Sequence, residues 1–180
     1  MSAHLIQLTD LPIPEQSSVL DQVYEIYFES SARKEFKDQK DKNSFAYKYL
    51  GYYLESHPGY CWIALDERVL GYIVASPQTS DPKLLALQPH LIEFQQYLSR
   101  FPAHLHINCH VSSRGQGIGG MLVRKLEEKL KAEKSPGMHI MTSKSSDNVR
   151  FYSKLGFSFE ADKIFNGADL HFMGKSFTSP

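Results

Sequence analysis

Apolar positions along the chain follow two periods, and they divide it into helices and strands. Val19, Leu20, Val23, Ile26 and Tyr27 recur at helical spacing and predict a helix over Ser17 to Arg33. His4 to Leu8 before it reads as a short strand, closed by the turn-rich run Thr9 to Pro14. Arg33 to Lys42 carries both signs and reads as a solvated turn or helix end. Ser44 to Glu55 predicts a second helix, crowded with Phe45, Tyr47, Tyr49, Tyr52 and Tyr53, which serve a core or the wall of a substrate mouth. Tyr60 to Leu65 and Val69 to Ser76 are β-rich runs around Asp66-Glu67-Arg68, hence a hairpin. Ser80 to Phe101 is too apolar for a linker and predicts a helix that packs back on the domain.

A strand from about His104 to Val111 then runs into glycines, and a helix starts near Gly117. Its stripe is Ile118, Leu122, Leu126 and Leu130, with Arg124, Glu127, Glu128 and Lys131 toward water. Pro136-Gly137 is expected to end that helix, and Met138 to Thr142 to form the next strand. A short helix from about Asp147 to Leu155 stops at Gly156, a position suited to a left-handed cap. Phe157 to Lys163 and Asp169 to Lys175 supply two last strands around Asn166-Gly167. The order predicts a mixed α/β fold in one domain spanning residues 1–180, with 80–101 as an insertion.

Bulk properties narrow the function. Twenty basic and twenty acidic residues cancel, so no global charge argues for nucleic acid or an anionic membrane. Cys61 and Cys109 lie far apart in strand-like runs and read as reduced core thiols, which points to the cytoplasm. The N-terminal run MSAHLIQLTD has no basic segment followed by an apolar one, so no signal peptide is expected. No apolar stretch reaches membrane-spanning length.

The chemistry concentrates at Arg114-Gly115-Gln116-Gly117-Ile118-Gly119-Gly120, where a strand gives way to a helix. Unpaired backbone N–H groups and a helix N-terminus at such a place suit an anion. Gly115-x-Gly117-x-x-Gly120 also satisfies the dinucleotide fingerprint. That reading needs an acid at the end of the next strand, and Met138 to Thr142 has none. A tight turn alone does not need four glycines within six residues behind an arginine. A phosphate cradle accounts for all of them.

The pattern Arg114-x-x-Gly117-x-Gly119 resembles the pyrophosphate loop of the GNAT superfamily of N-acetyltransferases. Arg150-Phe151-Tyr152-Ser153-Lys154-Leu155-Gly156-Phe157 resembles the same family's second signature, and the resemblance is close over Phe101 to Phe159. Phe101 to Ile107 is similar to a branch of acetyltransferase-like domains attached to O-GlcNAc hydrolases and their free-standing bacterial relatives. The resemblance implies a GNAT-like domain: a central, mostly antiparallel sheet with a splayed parallel strand pair, flanked by helices. It implies acetyl-CoA as cofactor, with Gln116, Gly117, Ile118, Gly119 and Gly120 supplying loop amides and Arg114 the first motif position. Backbone groups of Cys109, His110 and Val111 would align the pantetheine arm as an added strand. Tyr152 falls at the family's tyrosine near the thioester sulfur, in the role of general acid toward the departing thiolate. The family's cofactor-contacting Asn has no direct match, and either Ser145 or Asn148 takes that place. Relatives of this branch carry Asp where this chain has Asn108, and Asn cannot act as a base.

On an unbroken strand His104, His106, Asn108 and His110 share one face. A neutral imidazole suits deprotonation of an ammonium near neutral pH, with His106 as first candidate and His104 as second. The alternative is that these histidines make buried hydrogen bonds. His-x-His is also plausible metal-ligand spacing, but no Asp, Glu or Cys of matching parity completes a site, and no metal is expected. The resulting expectation is an acetyl-CoA-dependent N-acetyltransferase acting on a primary amine of a small molecule or peptide by direct attack. The rival is an acyl-CoA-binding sensor or interaction module without turnover. No acidic stripe argues for a polyamine acceptor, and no basic one for a phosphorylated acceptor. A homodimer is the commonest assembly for such a chain, although no residue pattern specifies it.

Overall fold

The computed structural model describes residues 3–177. The chain divides into two compact units, one reaching to Ala75 and including His106–Leu126, the other formed by Ser76–Leu105 and the chain from Glu127.

In the first unit β1 (His4–Gln7), β2 (Cys61–Leu65) and β3 (Val69–Ser76) pair antiparallel, with β4 (Ala103–Cys109) next in order. In the second, β4 pairs parallel with β5 (Gly137–Thr142), and β7 (Ala168–Ser176) pairs antiparallel with β5 and with β6 (Phe159–Phe165). The strands form one mostly antiparallel sheet of seven, to which β4 contributes in both units. The parallel ladder is short: it registers Ala103 with Met138 and His104 with His139 in strands of seven and six residues. The expected fold class is therefore observed. Among the described residues no helix is long and apolar enough to cross a membrane.

Helix α1 runs Ile13–Ser30, four residues ahead of its expected start, because Pro14 occupies the first turn, where its missing N–H costs nothing. Val19, Val23, Ile26 and Tyr27 are its buried stripe. Helix α2 covers Gln39–Ala46 and so begins inside the charged run read as a solvated turn or helix end. Its N-cap is Asp38, whose carboxylate accepts from the Asp41 N–H at 2.8 Å. A π-turn over Tyr47–Gly51 leads into α3 (Tyr52–Ser56). The wider turn lays the Tyr47 ring against Gly51, 3.0 Å from where a Cβ would stand.

In the second unit Asp81 caps α4 (Pro82–Leu87), accepting from the Lys83 N–H at 2.7 Å. A 3-10 stretch, Pro89–Tyr97, follows and buries Leu91 and Phe94. Phe94 joins Phe101 and Phe172 in a core flanked by Tyr97, Leu98, Met141 and Phe159.

Helix α5 (Ile118–Ala132) ends earlier than Pro136-Gly137. Lys134 takes the left-handed conformation at φ 62°, and the Ser135 N–H closes the end on Leu130 O at 2.9 Å. Gly137 belongs to β5 instead, where a Cβ would lie 2.6 Å from Lys175 O and 2.7 Å from Arg100 O. That glycine serves close backbone approach, not helix termination.

Candidate active site

The glycine segment is anchored before it becomes free. After β4, the His110 N–H donates to Leu70 O at 2.9 Å. The buried Ser113 hydroxyl lies 2.6 Å from Leu70 O and 2.9 Å from His110 O. His110 caps the intervening 3-10 turn, its Nδ1 accepting from the Ser112 N–H at 3.2 Å. Arg114 reaches back to Cys109 O through Nε at 3.3 Å and to Ser30 Oγ at 3.4 Å. The Gln116 side chain donates to Ser112 O at 2.7 Å. Of the backbone groups expected to align pantetheine, the His110 N–H and Cys109 O therefore already have partners, and Val111 is 65% exposed.

Beyond that anchor the loop opens. Gly115 and Gly117 have φ of 77° and 83°, and a Cβ on either would meet nothing within 4 Å. Glycine is needed there for backbone conformation, and the space above the loop stays clear. The first helical bond of α5 runs from the Met121 N–H to Gly117 O at 3.0 Å. The N–H groups of Ile118, Gly119 and Gly120 precede it and have no helical acceptor, which leaves consecutive donors at the positive end of a helix. Arg124 is exposed, as read from the sequence, and its guanidinium lies 3.2 Å from where a Gly120 Cβ would stand. The only sequence signal for this was its i+4 spacing from Gly120. Fixed amides, open space and a nearby cation fit a pyrophosphate.

Histidines on β4 part company. In the first unit His106 is half-buried, with Tyr49 and Tyr53 edge-on to its ring at centroid distances of 5.9 and 5.2 Å. Asn108 donates through Nδ2 to the buried Tyr72 hydroxyl at 2.8 Å, and burial raises the pKa of that phenol. Cys109 is half-buried beside Gly71, and burial pushes its thiol up to about 11. In the second unit His104 is fully buried and stacked on His139 at 5.0 Å. Phe172 stacks on the other face of His139 at 4.6 Å, and Phe94 continues the pile at 5.2 Å.

His139 donates through Nδ1 to Phe101 O at 2.7 Å, and its burial pushes the imidazole down to about 4. The unfolded chain therefore takes up this proton first as pH falls from about 6.5. Stability is complete above that pH, declines between 6.5 and 4, and levels below, a loss on the order of 3 kcal/mol. Urea midpoints at pH 7, 5.5 and 4 are expected to fall less steeply in His139→Phe, which keeps a stacking ring. Equal slopes in both proteins would refute this origin for the acid sensitivity.

Tyr152 stands on α6 (Asn148–Lys154) and is held by that helix's C-terminal cap. Gly156 at φ 87° lets its N–H reach Ser153 O at 3.1 Å and the Phe157 N–H reach Tyr152 O at 3.2 Å. The cap's apolar contact is Tyr152 against Phe157, ring centroids 5.3 Å apart. Tyr152 is 6% exposed. Asn148 opens the same helix, and its Oδ1 accepts from Thr142 Oγ1 at 2.8 Å at the end of β5. Ser145 is exposed and pairs with Ser143 at 3.1 Å. Sequence reasoning missed Ser113, Tyr72, Arg124 and His139 because each acts through a partner remote in sequence or through a helix turn that only folding orients.

A model described as acetyltransferase (GNAT) family matches residues 20–157. Among solved structures, SsHAT superposes with a TM-score of 0.72 at 17% identity, covering 99% of this chain and 100% of that one. An N-acetyltransferase from Staphylococcus aureus Mu50 gives 0.63 at 17%, again covering 99% and 100%. The polyamine N-acetyltransferase of Drosophila melanogaster, which forms N-acetylagmatine, gives 0.65 at 13%, covering 98% and 100%. At these identities the structures establish likeness of fold. The family match runs from α1 through Phe157, well over half of the 180 residues, and the chain belongs to the GNAT family of acetyltransferases.

Proposed function

We propose that the protein transfers an acetyl group from acetyl-CoA to a primary amine of a small molecule or peptide, both substrates being bound together. The observation that carries this is the open loop Gly115 to Gly120, with its unpartnered amides at the head of α5. Gly117, Ile118, Gly119 and Gly120 present backbone donors to the pyrophosphate, whereas the Gln116 N–H already donates to Ser113 O at 3.4 Å, and Arg114 and Arg124 add positive charge beside them. When bound, acetyl-CoA supplies an activated thioester: the amine nitrogen bonds to the acetyl carbon as the carbon–sulfur bond breaks, giving amide and thiol.

The chain's own groups move the protons. Tyr152 donates its phenolic proton to the leaving sulfur and regains one from solvent. Free tyrosine and thiol pKa values of about 10 and 8.5 make this donation mildly uphill, so the hydrogen bond to sulfur contributes as well. His106 accepts the proton that the attacking nitrogen loses, directly or through water. Positioning supplies most of the remaining acceleration. Cys61 and Cys109 are both free thiols, consistent with action in the reducing cytoplasm.

The test is acetyl-CoA titration followed by turnover with a panel of primary amines and a free-thiol readout. Saturable binding and amine-dependent thiol release are expected. A folded protein that does not bind acetyl-CoA would overturn the proposal.

A further inference from the structure

Titratable groups from three segments of the second unit meet at His171. This side chain on β7 is 1% exposed and donates through Nδ1 to Asp162 Oδ1 at 2.6 Å, across the ladder that registers Asp162 with His171. The other oxygen of Asp162 accepts from Lys144 Nζ at 2.8 Å, so one carboxylate bridges a buried imidazole and a surface ammonium. Lys144 and His171 together hold the Asp162 carboxyl below its usual pKa, and Asp162 raises that of Lys144. Glu160 lies two residues along β6, its Oε2 3.8 Å from His171 Nε2. That Nε2 is buried and has no hydrogen-bond partner among the described residues. A charged cluster built around such an atom is costly, and its cost calls for a reason.

Those groups surround the seating of α6. The β5–β7 ladder registers Thr142 with His171, and side chains directly opposite each other share a face of the sheet. Thr142 Oγ1 donates to Oδ1 of Asn148, the first residue of α6, at 2.8 Å. At the far end of the helix, Lys175 Cε is 3.4 Å from where a Gly156 Cβ would stand. Lys175 and His171 are four residues apart on β7 and so point to the same face. Helix α6 therefore lies along that face, its first residue at the level of His171 and its cap at Lys175. Lys144 belongs to the connection between β5 and α6, so Asp162 ties down the chain just ahead of the helix. Tyr152 is four residues beyond Asn148, on the same side of α6, and helical side chains lean toward the N-terminus. Its ring is thus directed toward the end that the cluster holds.

We propose that Asp162 and His171 are positioning residues for Tyr152: by fixing the N-terminal end of α6 they set the reach of its phenol to the departing sulfur. This role rests on the acetyl-transfer reading and on Tyr152 as its proton donor. Seven residues make barely two turns, too short a helix to hold its own direction, so its ends must be held from outside. The C-terminal end has the Gly156 cap. At the N-terminal end the Lys144–Asp162 pair, with side chains 69% and 52% exposed, would hold little by itself. The buried His171 makes it a clamp, because its short bond fixes the carboxylate from beneath. Proton donation needs heavy atoms within about 2.6–3.2 Å, and a displacement of about 1 Å can cost on the order of a hundredfold in rate.

Asp162→Asn keeps the side chain's size at a half-exposed position and removes the charge that Lys144 meets, so the variant should fold, which circular dichroism would verify. With acetyl-CoA and butylamine as the probe pair, kcat is expected to fall about tenfold while both KM values stay within about twofold. In a Tyr152→Phe background the same substitution should change kcat by less than about twofold, because the hydroxyl it positions is gone. A merely structural role would lower turnover by the same factor in both backgrounds. Amide hydrogen exchange gives a readout without turnover: across residues 148–154 it should be at least about fivefold faster in Asp162→Asn, and unchanged in β2 and β3. Wild-type kcat or wild-type exchange in Asp162→Asn, or an equal loss of turnover in both backgrounds, would overturn the assignment. Normal turnover by Tyr152→Phe alone would overturn it as well, since there would be no donor to position. If wild type releases no thiol with butylamine or with any amine of the panel, the acetyl-transfer reading falls, and the exchange comparison alone decides whether the cluster seats α6.

Discussion

Gly117→Glu is expected to weaken acetyl-CoA binding by at least a hundredfold while the protein stays folded. Gly117 sits at φ 83° with nothing within 4 Å of a Cβ, so an added Cβ meets no atom. The structural cost is conformational, about 1–2 kcal/mol for leaving the usual backbone regions. The functional cost is electrostatic. A carboxylate beside the amides of Ile118, Gly119 and Gly120 competes for the place proposed for a pyrophosphate. Two unit charges about 4 Å apart near a protein surface repel by about 4 kcal/mol. Gly117→Ala separates the contributions, since it carries the conformational cost without the charge and should lose far less affinity. Calorimetry with a thermal melt checks both. Binding within threefold of wild type by Gly117→Glu would show that the loop does not hold the cofactor's phosphates.

Tyr152→Phe should lower turnover about a hundredfold, with acetyl-CoA affinity unchanged. A positioned general acid contributes roughly 10²–10⁴ to a rate, and this substitution removes only the hydroxyl. The ring that packs on Phe157 and completes the cap of α6 is kept, so the helix should not move. The loss should fall equally on kcat and kcat/KM, the pattern for an interaction made only in the transition state. Normal turnover by Tyr152→Phe would leave Tyr152 as a packing residue and require another proton donor.

Much of the fold was legible because its determinants are local. Strand limits at Cys61–Leu65 and Val69–Ser76 follow from β-branched and aromatic runs bounded by a charged turn. The Gly156 cap follows from the preference of left-handed positions for glycine. The loop before α5 was legible for the same reason, as clustered glycines behind a strand limit the backbone to few arrangements. Local reasoning failed where another residue performed the expected job. Asp38 placed a helix start inside a run read only as a solvated turn or helix end, and Lys134 ended a helix three residues before the glycine assigned to it.

The candidate site divides along the same line. The sequence by itself determined the family, the glycine loop before α5 and the place of Tyr152 on a capped helix, because those depend on residues within one or two turns of each other. Only the tertiary structure decided what surrounds each histidine of β4. His104 lies in a ring stack with His139, whose Nδ1 is held by a carbonyl 38 positions away, while His106 meets the tyrosines of the helices after α1. It also decided that the exposed acids of α1 line one groove with Tyr24, Phe28 and Tyr47. Alternation along a strand specifies which side chains share a face. What that face meets depends on contacts between segments far apart in the chain, and no local pattern contains them.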